Sequence, residues 1–182
     1  MYNGPKRKNQ RLKNFDYSSD RGYFITICTK DRENYFGEII DGKMILNDYG
    51  KIAENSFLDL PNHYKNCILD EYIFMPNHFH CILFIENAPV GTGLKPVPTN
   101  DDVNTTNDGA TKNHGLSEII RGFKTFSSRN IHNSKEDFEF AWQRSFFDVI
   151  IRNEEHLQKT RQYIQENPLK WEQDKNNLSN LK

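Results

Sequence analysis

The chain has 182 residues, 13% of them aromatic, which is enough for a single domain with an ordinary hydrophobic core. No apolar run approaches the roughly 18 residues of a membrane-spanning helix, so the composition argues against a membrane protein. The net charge of −1 conceals a basic amino-terminal arm at 1–20 that contains Lys6, Arg7 and Lys8. Such an arm suits a phosphate backbone, although a solvated, disordered segment is the commoner meaning of a basic terminus.

Three cysteines indicate the compartment. Cys28, Cys67 and Cys81 lie in apolar, strand-like stretches without the spacing of a zinc site or a disulfide framework. We therefore expect reduced core residues and a cytoplasmic protein.

The first half of the chain predicts antiparallel strands and one helix. The predicted elements are a strand at 23–29, a hairpin over 36–46, a helix over 47–60 and two strands at 67–75 and 79–85. Asp41-Gly42 is a two-residue hairpin signal, and Pro61 predicts the end of the helix. The last strand is apolar on both faces, which is typical of a central position in a sheet.

The second half begins with an abrupt change of composition. Residues 86–115 are rich in Pro, Gly, Asn, Asp and Thr, and we expect a flexible insertion there. Helical spacing resumes at Leu116, a strand is predicted within 138–151, and a helix is predicted from the N-cap Asn153 to Asn167. The order predicts an α+β fold in which helices pack against a mainly antiparallel sheet. We expect one domain at 21–175 and a tail at 176–182.

A pair of histidines stands at the start of the central strand. His78 and His80 flank Phe79, and the two-residue period of a strand places both imidazoles on one face. Two neighbouring neutral imidazoles can share a divalent cation, although such a pair also occurs by chance as ordinary polar groups of a strand. The position just after a turn, followed by a strongly apolar run, favours a metal site.

A tyrosine and an asparagine share a face of the last predicted helix. Tyr163 and Asn167 are four residues apart. A tyrosine lying over the edge of the core would explain the pattern, and a phenol with a pKa of about 10 is a poor nucleophile unless it is activated. With a cation on His78 and His80 and the Asn167 amide oxygen as third ligand, Tyr163 would be placed to attack a bound phosphate. The product would be a 5′-phosphotyrosine and a free 3′-hydroxyl.

Four blocks together resemble a known family. They are Met75–His80 (MPNHFH), Ile120–Lys124 (IRGFK), Trp142–Phe146 (WQRSF) and Tyr163–Trp171 (YIQENPLKW). In this order they resemble the IS200-like Y1 transposases of the HUH superfamily, and among these the REP-associated tyrosine transposases. The resemblance covers about 21–171.

The resemblance implies a ferredoxin-like or RRM-like sheet, dependence on Mg²⁺ or Mn²⁺, and action on hairpin-forming single-stranded DNA. His78 and His80 match the family's metal pair, Tyr163 the nucleophile and Asn167 the third ligand. Members often have Tyr where this chain has Phe147, which leaves Tyr163 as the catalytic candidate.

Basic residues in the same blocks are candidates for contact with DNA. They are Arg121, Lys124, Arg144 and Arg152, alongside Lys6, Arg7 and Lys8 of the basic arm, and each one also fits an ordinary solvated face. Two other functions stay open, a hairpin-binding protein that no longer cuts and a metal-dependent phosphoesterase. A monomer and a homodimer are both compatible with the sequence.

Overall fold

The computed structural model of the chain describes residues 20–87, 113–136 and 138–180. The elements within these ranges are β1 (Arg21–Cys28), a 3-10 turn (Lys30–Arg32), β2 (Gly37–Ile40), β3 (Lys43–Leu46), α1 (Asp48–Leu58), α2 (Leu60–His63), β4 (Cys67–Met75), β5 (His78–Ile85), α3 (Leu116–Lys135), β6 (Phe147–Ile150), α4 (Glu154–Glu166) and two further 3-10 turns (Pro168–Gln173 and Leu178–Asn180). This confirms the predicted order of strands and helices. The basic arm, apart from Asp20, and most of the expected insertion at 86–115 lie outside the described residues.

Local signals account for the ends of several elements. Asp41 and Gly42 have φ values of 50° and 70°, as a two-residue turn between twisted antiparallel strands requires. The Asn47 side chain accepts a hydrogen bond from the backbone N–H of Gly50 and begins α1. The Asn153 side chain does the same for His156 at the start of α4. Both capping residues were visible in the sequence.

The main sheet has four strands in the order β4-β5-β1-β6, each antiparallel to its neighbours. With α1 between β1 and β4 and α3 between β5 and β6, this is the βαββαβ arrangement of ferredoxin-like folds. The α+β expectation is therefore confirmed, and β5 is a central strand as its apolar faces predicted. The β2–β3 hairpin forms a separate two-stranded ribbon.

Successive side chains of β5 enter two different hydrophobic clusters. Phe79 packs between Phe57 of α1 and Phe123 of α3, at ring-centroid distances of 4.8 and 5.3 Å. On the other face, Ile82 packs with Ile151 and with buried residues of α4. The face that carries His78 and His80 is therefore the face that α4 covers.

The chain after α4 returns to the turn between β4 and β5. Asn176 is buried, and its carbonyl oxygen accepts a hydrogen bond from the Asn77 side chain. The expected domain bounds of 21–175 remain a prediction, but the described segment 174–180 lies beside the start of β5.

Candidate metal and tyrosine site

The two histidines form a buried pair of potential ligands. Their exposed fractions are 0% for His78 and 1% for His80, and the two Nε2 atoms are 3.1 Å apart. Burial lowers the pKa of His80 to about 3, and burial and the neighbouring His80 ring lower the pKa of His78 well below its usual value. Both imidazoles are therefore neutral at pH 7, which is the form that binds a metal ion.

The Nδ1 atom of each ring is already engaged. His78 Nδ1 lies 3.0 Å from Asn77 Oδ1, and His80 Nδ1 lies 2.8 Å from the hydroxyl oxygen of Thr26. Metal-binding histidines commonly donate one ring N–H to a neighbouring oxygen and present the other nitrogen to the metal. The two facing Nε2 atoms therefore form the ligand side of the pair.

Two oxygen-bearing side chains accompany the histidines. Asp174 Oδ2 is 3.8 Å from His78 Nε2, and the potential ligand atoms of His78, His80 and Asp174 lie within 4.8 Å of one another. Asn167 is 3% exposed, and its Oδ1 atom has no hydrogen-bond partner among the described residues. An unsatisfied buried acceptor costs about 1–3 kcal/mol, and a bound cation would remove that cost. The set of two imidazoles and one carboxylate fits a divalent cation such as Mn²⁺, and the Asn167 oxygen is a candidate for a further ligand.

Tyr163 projects from α4 beside this pair. Its ring centroid is 5.4 Å from that of His80 and 5.8 Å from that of Phe24, and 39% of the residue is exposed. Burial raises the pKa of the Tyr163 hydroxyl, while the Asn167 side chain lowers that pKa by a smaller amount. The hydroxyl is therefore protonated at pH 7 and needs activation before it can act as a nucleophile.

Aromatic rings form two walls around the imidazoles. Phe24 stacks on His80 with a ring-centroid distance of 5.3 Å and an interplanar angle of 26°. Trp171 lies 5.9 Å from His78 at 33°. Such contacts hold the rings in place without offering competing ligands.

An ion pair attaches α4 to the sheet. Arg161 Nε donates to Asp70 Oδ1 at 2.8 Å, and a second guanidinium N–H donates to Asp70 Oδ2. Arg161 stands two positions before Tyr163, and Asp70 lies where the pairing of β4 with β5 is irregular. Neither residue was identified from the sequence, because ion pairs between distant segments leave no local signal.

Three of the basic candidates lie in one groove. Arg121, Lys124 and Arg144 line a cavity of about 730 Å³ between α3 and the segment before β6, together with the exposed Phe138. Arg152 is exposed in the connection between β6 and α4, and it does not line this cavity. Lys6, Arg7 and Lys8 lie outside the described residues. Because α3 packs on the Phe79 side of the sheet, the groove and the histidine pair belong to opposite faces.

The ammonium group of Lys124 is held by backbone carbonyl groups, which its position on the predicted helix did not indicate. Its Nζ donates to the carbonyl oxygens of Gln143 and Ser145 at 2.8 and 3.0 Å. Burial lowers its pKa to about 8. The ammonium group therefore holds the wall of the groove in place as well as contributing positive charge to it.

No helix among the described residues combines the length and apolarity needed to span a bilayer.

Comparisons with known proteins agree with this architecture. Residues 109–167 match the family model described as "Transposase IS200 like". An uncharacterized protein of Haemophilus influenzae Rd is 35% identical over 168 residues, which are 92% of this chain and 91% of that protein. The solved structure of a REP-associated tyrosine transposase bound to a REP hairpin matches 91% of this chain and 74% of its own, with a TM-score of 0.55 at 16% identity. That likeness shows a shared fold. The chain belongs to the IS200-like transposase family.

Proposed function

We propose that this transposase is a metal-dependent endonuclease and strand transferase for single-stranded DNA, with Tyr163 as its nucleophile. The observation that carries the proposal is the contact of the Tyr163 ring with His80, whose Nε2 faces that of His78. An exposed tyrosine beside two neutral, buried imidazoles combines a nucleophile with a metal-binding pair.

The side chains have distinct roles in this proposal. His78, His80, Asp174 and the Asn167 amide oxygen would hold Mn²⁺ or Mg²⁺, which when bound polarises a phosphate and stabilises the charge that develops on it. Tyr163 Oη forms a bond to phosphorus, and the bond from phosphorus to the 3′ oxygen breaks. The phenol proton passes to solvent, and the departing 3′ oxygen takes up a proton. The product is a 5′-phosphotyrosine, which a 3′-hydroxyl can attack to restore a phosphodiester.

The Asn167 side chain supports the attacking group directly. Its effect lowers the pKa of the Tyr163 hydroxyl and so favours the phenolate, in opposition to the effect of burial. A donor aimed at a developing negative charge lowers the barrier for the step in which that charge forms. Asn167 would therefore serve the nucleophile through its amide N–H groups and the cation through its oxygen.

The groove on the opposite face is the proposed site of DNA contact. Arg121 and Arg144 would bind phosphates, and Phe138 offers an exposed ring on which a base can stack. The structural likeness to a transposase bound to a REP hairpin supports hairpin DNA as the substrate and the REP-associated branch as the subfamily. We assign Lys6, Arg7 and Lys8 of the arm, and Arg152, to the DNA backbone as well.

We also propose that the protein is cytoplasmic and that a single chain supplies both the nucleophile and the metal ligands. Tyr163 contacts His80 of the same chain, so a monomer has both the nucleophile and the metal-binding pair. In a homodimer that exchanges α4, the tyrosine of one chain would lie beside His80 of the other chain. Mixing His80→Ala and Tyr163→Phe proteins tests this, because restored activity would require exchange between chains.

Covalent capture tests the central claim. Single-stranded hairpins from the flanks of the gene are incubated with the protein and Mn²⁺, once with a 3′ label and once with a 5′ label. The 3′ label should remain attached to the protein on a denaturing gel, and the 5′ label should leave on a fragment with a free 3′-hydroxyl. Tyr163→Phe should abolish the adduct.

Tyr72→Phe is the matched control. Tyr72 is a half-buried tyrosine of β4 whose hydroxyl donates to Glu54, away from the histidines. Its replacement should leave the adduct intact. Cleavage that survives in Tyr163→Phe would identify a phosphoesterase, and tight binding without cleavage or adduct would identify a protein that only binds hairpins.

A further inference from the structure

Asn77, in the turn between β4 and β5, is a completely buried residue with a fully used side chain. Its Nδ2 group donates to the carbonyl oxygens of Arg32 and Asn176, each at 2.9 Å. Its Oδ1 atom lies 3.0 Å from His78 Nδ1. One amide thus joins the first 3-10 turn, the segment after α4 and the first histidine of the pair.

These contacts determine which way the amide faces. A carbonyl oxygen can only accept a hydrogen bond, so the two backbone carbonyls require Nδ2 on their side and leave Oδ1 towards His78. Since Oδ1 can also only accept, His78 Nδ1 must carry a hydrogen. A neutral imidazole carries one N–H hydrogen, and the lone pair of His78 is therefore on Nε2, which faces His80 Nε2 at 3.1 Å.

We propose that Asn77 is a positioning residue that selects the metal-binding tautomer of His78. The Asn77 backbone is fixed as well, because its carbonyl oxygen accepts from the N–H and the hydroxyl of Thr29 at 2.9 and 3.0 Å. The side chain also anchors Asn176, two positions after Asp174, and so links the carboxylate to the histidine pair. This inference rests on the proposed metal site, but it is independent of the reaction on DNA.

Two substitutions separate selection of the tautomer from simple support of the fold. Asn77→Ala removes the acceptor for His78 Nδ1–H and both amide donors. Asn77→Asp keeps an acceptor for His78 Nδ1–H and loses the donors to Arg32 and Asn176. If Asn77 only supported the fold, the two variants would behave alike.

The tautomer is measured on ¹⁵N-histidine-labelled protein without metal or DNA, by long-range ¹H–¹⁵N correlation at neutral pH, with His78→Gln to assign the signals. We expect hydrogen on Nδ1 of His78 in the wild type and in Asn77→Asp, and an increased Nε2–H fraction in Asn77→Ala. Calorimetric titration with Mn²⁺ should show an affinity about 10- to 100-fold lower for Asn77→Ala, with a smaller loss for Asn77→Asp.

Asn66→Ala is the matched control, because Asn66 is a buried asparagine at the other end of the β4–β5 pair. It should leave both readouts unchanged. Hydrogen on Nε2 of His78 in the wild type would overturn the inference without any variant, and so would equal losses of Mn²⁺ affinity in Asn77→Ala and Asn77→Asp. Neither readout involves DNA, so a failure to form the tyrosine adduct would refute the proposed reaction and leave this inference standing.

Discussion

Breaking the ion pair between Asp70 and Arg161 should loosen the helix that carries the tyrosine. We expect Arg161→Met, which keeps the apolar stem and removes the guanidinium, to increase local opening of α4. Tyr163 would then spend less time beside His80. The adduct should form more slowly on hairpin DNA, while binding of the DNA itself changes little.

The magnitude follows from how deeply the pair is buried. The Asp70 side chain is 16% exposed and that of Arg161 is 32% exposed. Fully exposed pairs contribute about 0.2–1 kcal/mol, and removing one partner of a buried pair costs about 3–5 kcal/mol, so an intermediate value of about 2 kcal/mol is reasonable. At 1.36 kcal/mol per factor of ten, amide exchange through local opening of α4 should accelerate by about 30-fold.

Hydrogen exchange followed by mass spectrometry measures this opening for each helix. Peptides from α4 should exchange faster in Arg161→Met, and peptides from α3 should not. Lys159→Met is the control, since Lys159 pairs with Glu155 on the same helix and both side chains are largely exposed. It should change exchange by no more than about twofold. Unchanged α4 exchange in Arg161→Met, or equal acceleration in α3, would refute the reasoning.

The pair also has a definite pH dependence. The hydrogen bonds that Asp70 accepts from Arg161 lower the pKa of the Asp70 carboxyl below its usual value. A carboxylate with a lowered pKa in the folded state stabilises the fold fully above its unfolded pKa of about 4. That contribution is lost as the pH falls through the folded-state pKa, and the difference between wild type and Arg161→Met should shrink in the same range.

Three further outcomes are expected. Asn167→Ala should change the stability of the metal-free protein by no more than about 1 kcal/mol, because the Asn167 oxygen has no hydrogen-bond partner among the described residues. The same substitution should reduce the rise in Tm that Mn²⁺ produces. An unchanged rise in Tm, measured by calorimetry, would exclude Asn167 as a ligand. Because the pKa of Lys124 is about 8, the groove loses a positive charge as the pH rises from 7 to 9, and DNA affinity measured by fluorescence anisotropy should fall. Lys124→Arg should remove this pH dependence. An identical fall in affinity in the two proteins would contradict the role of Lys124. Phe79→Ala should lower the free energy of unfolding in urea by about 3–5 kcal/mol, since Phe79 is fully buried between α1 and α3; a cost below 1 kcal/mol would contradict this packing.

Most of the fold was predictable because its signals are local. The alternation along β5 placed His78 and His80 on one face, and the four-residue spacing placed Tyr163 and Asn167 on one side of the last helix. The turn at Asp41-Gly42 and the two capping asparagines were equally readable. In each case the cause and the structure lie within a few residues of one another.

The missed residues depend on contacts between distant parts of the chain. Asn77 and Asn176 are 99 positions apart, and Asp174 lies in a stretch without helical or strand periodicity. Lys124 was a candidate for contact with DNA that also fitted a solvated helix face, since periodicity alone does not show that the carbonyls of 143 and 145 accept hydrogen bonds from its ammonium group. Such residues become visible only when the topology has brought their segments together.

The single layer of sheet between the groove and the histidine pair has an evolutionary consequence. Among the described residues, the buried hydrophobic side chains on the two faces of β5 form two separate clusters, so substitutions in the groove and substitutions at the pair should have additive effects. New DNA sequences could be accommodated by change in α3 and in the segment before β6, while the reacting groups are retained. Related proteins could therefore recognise target repeats that have diverged in sequence while they keep the same catalytic residues.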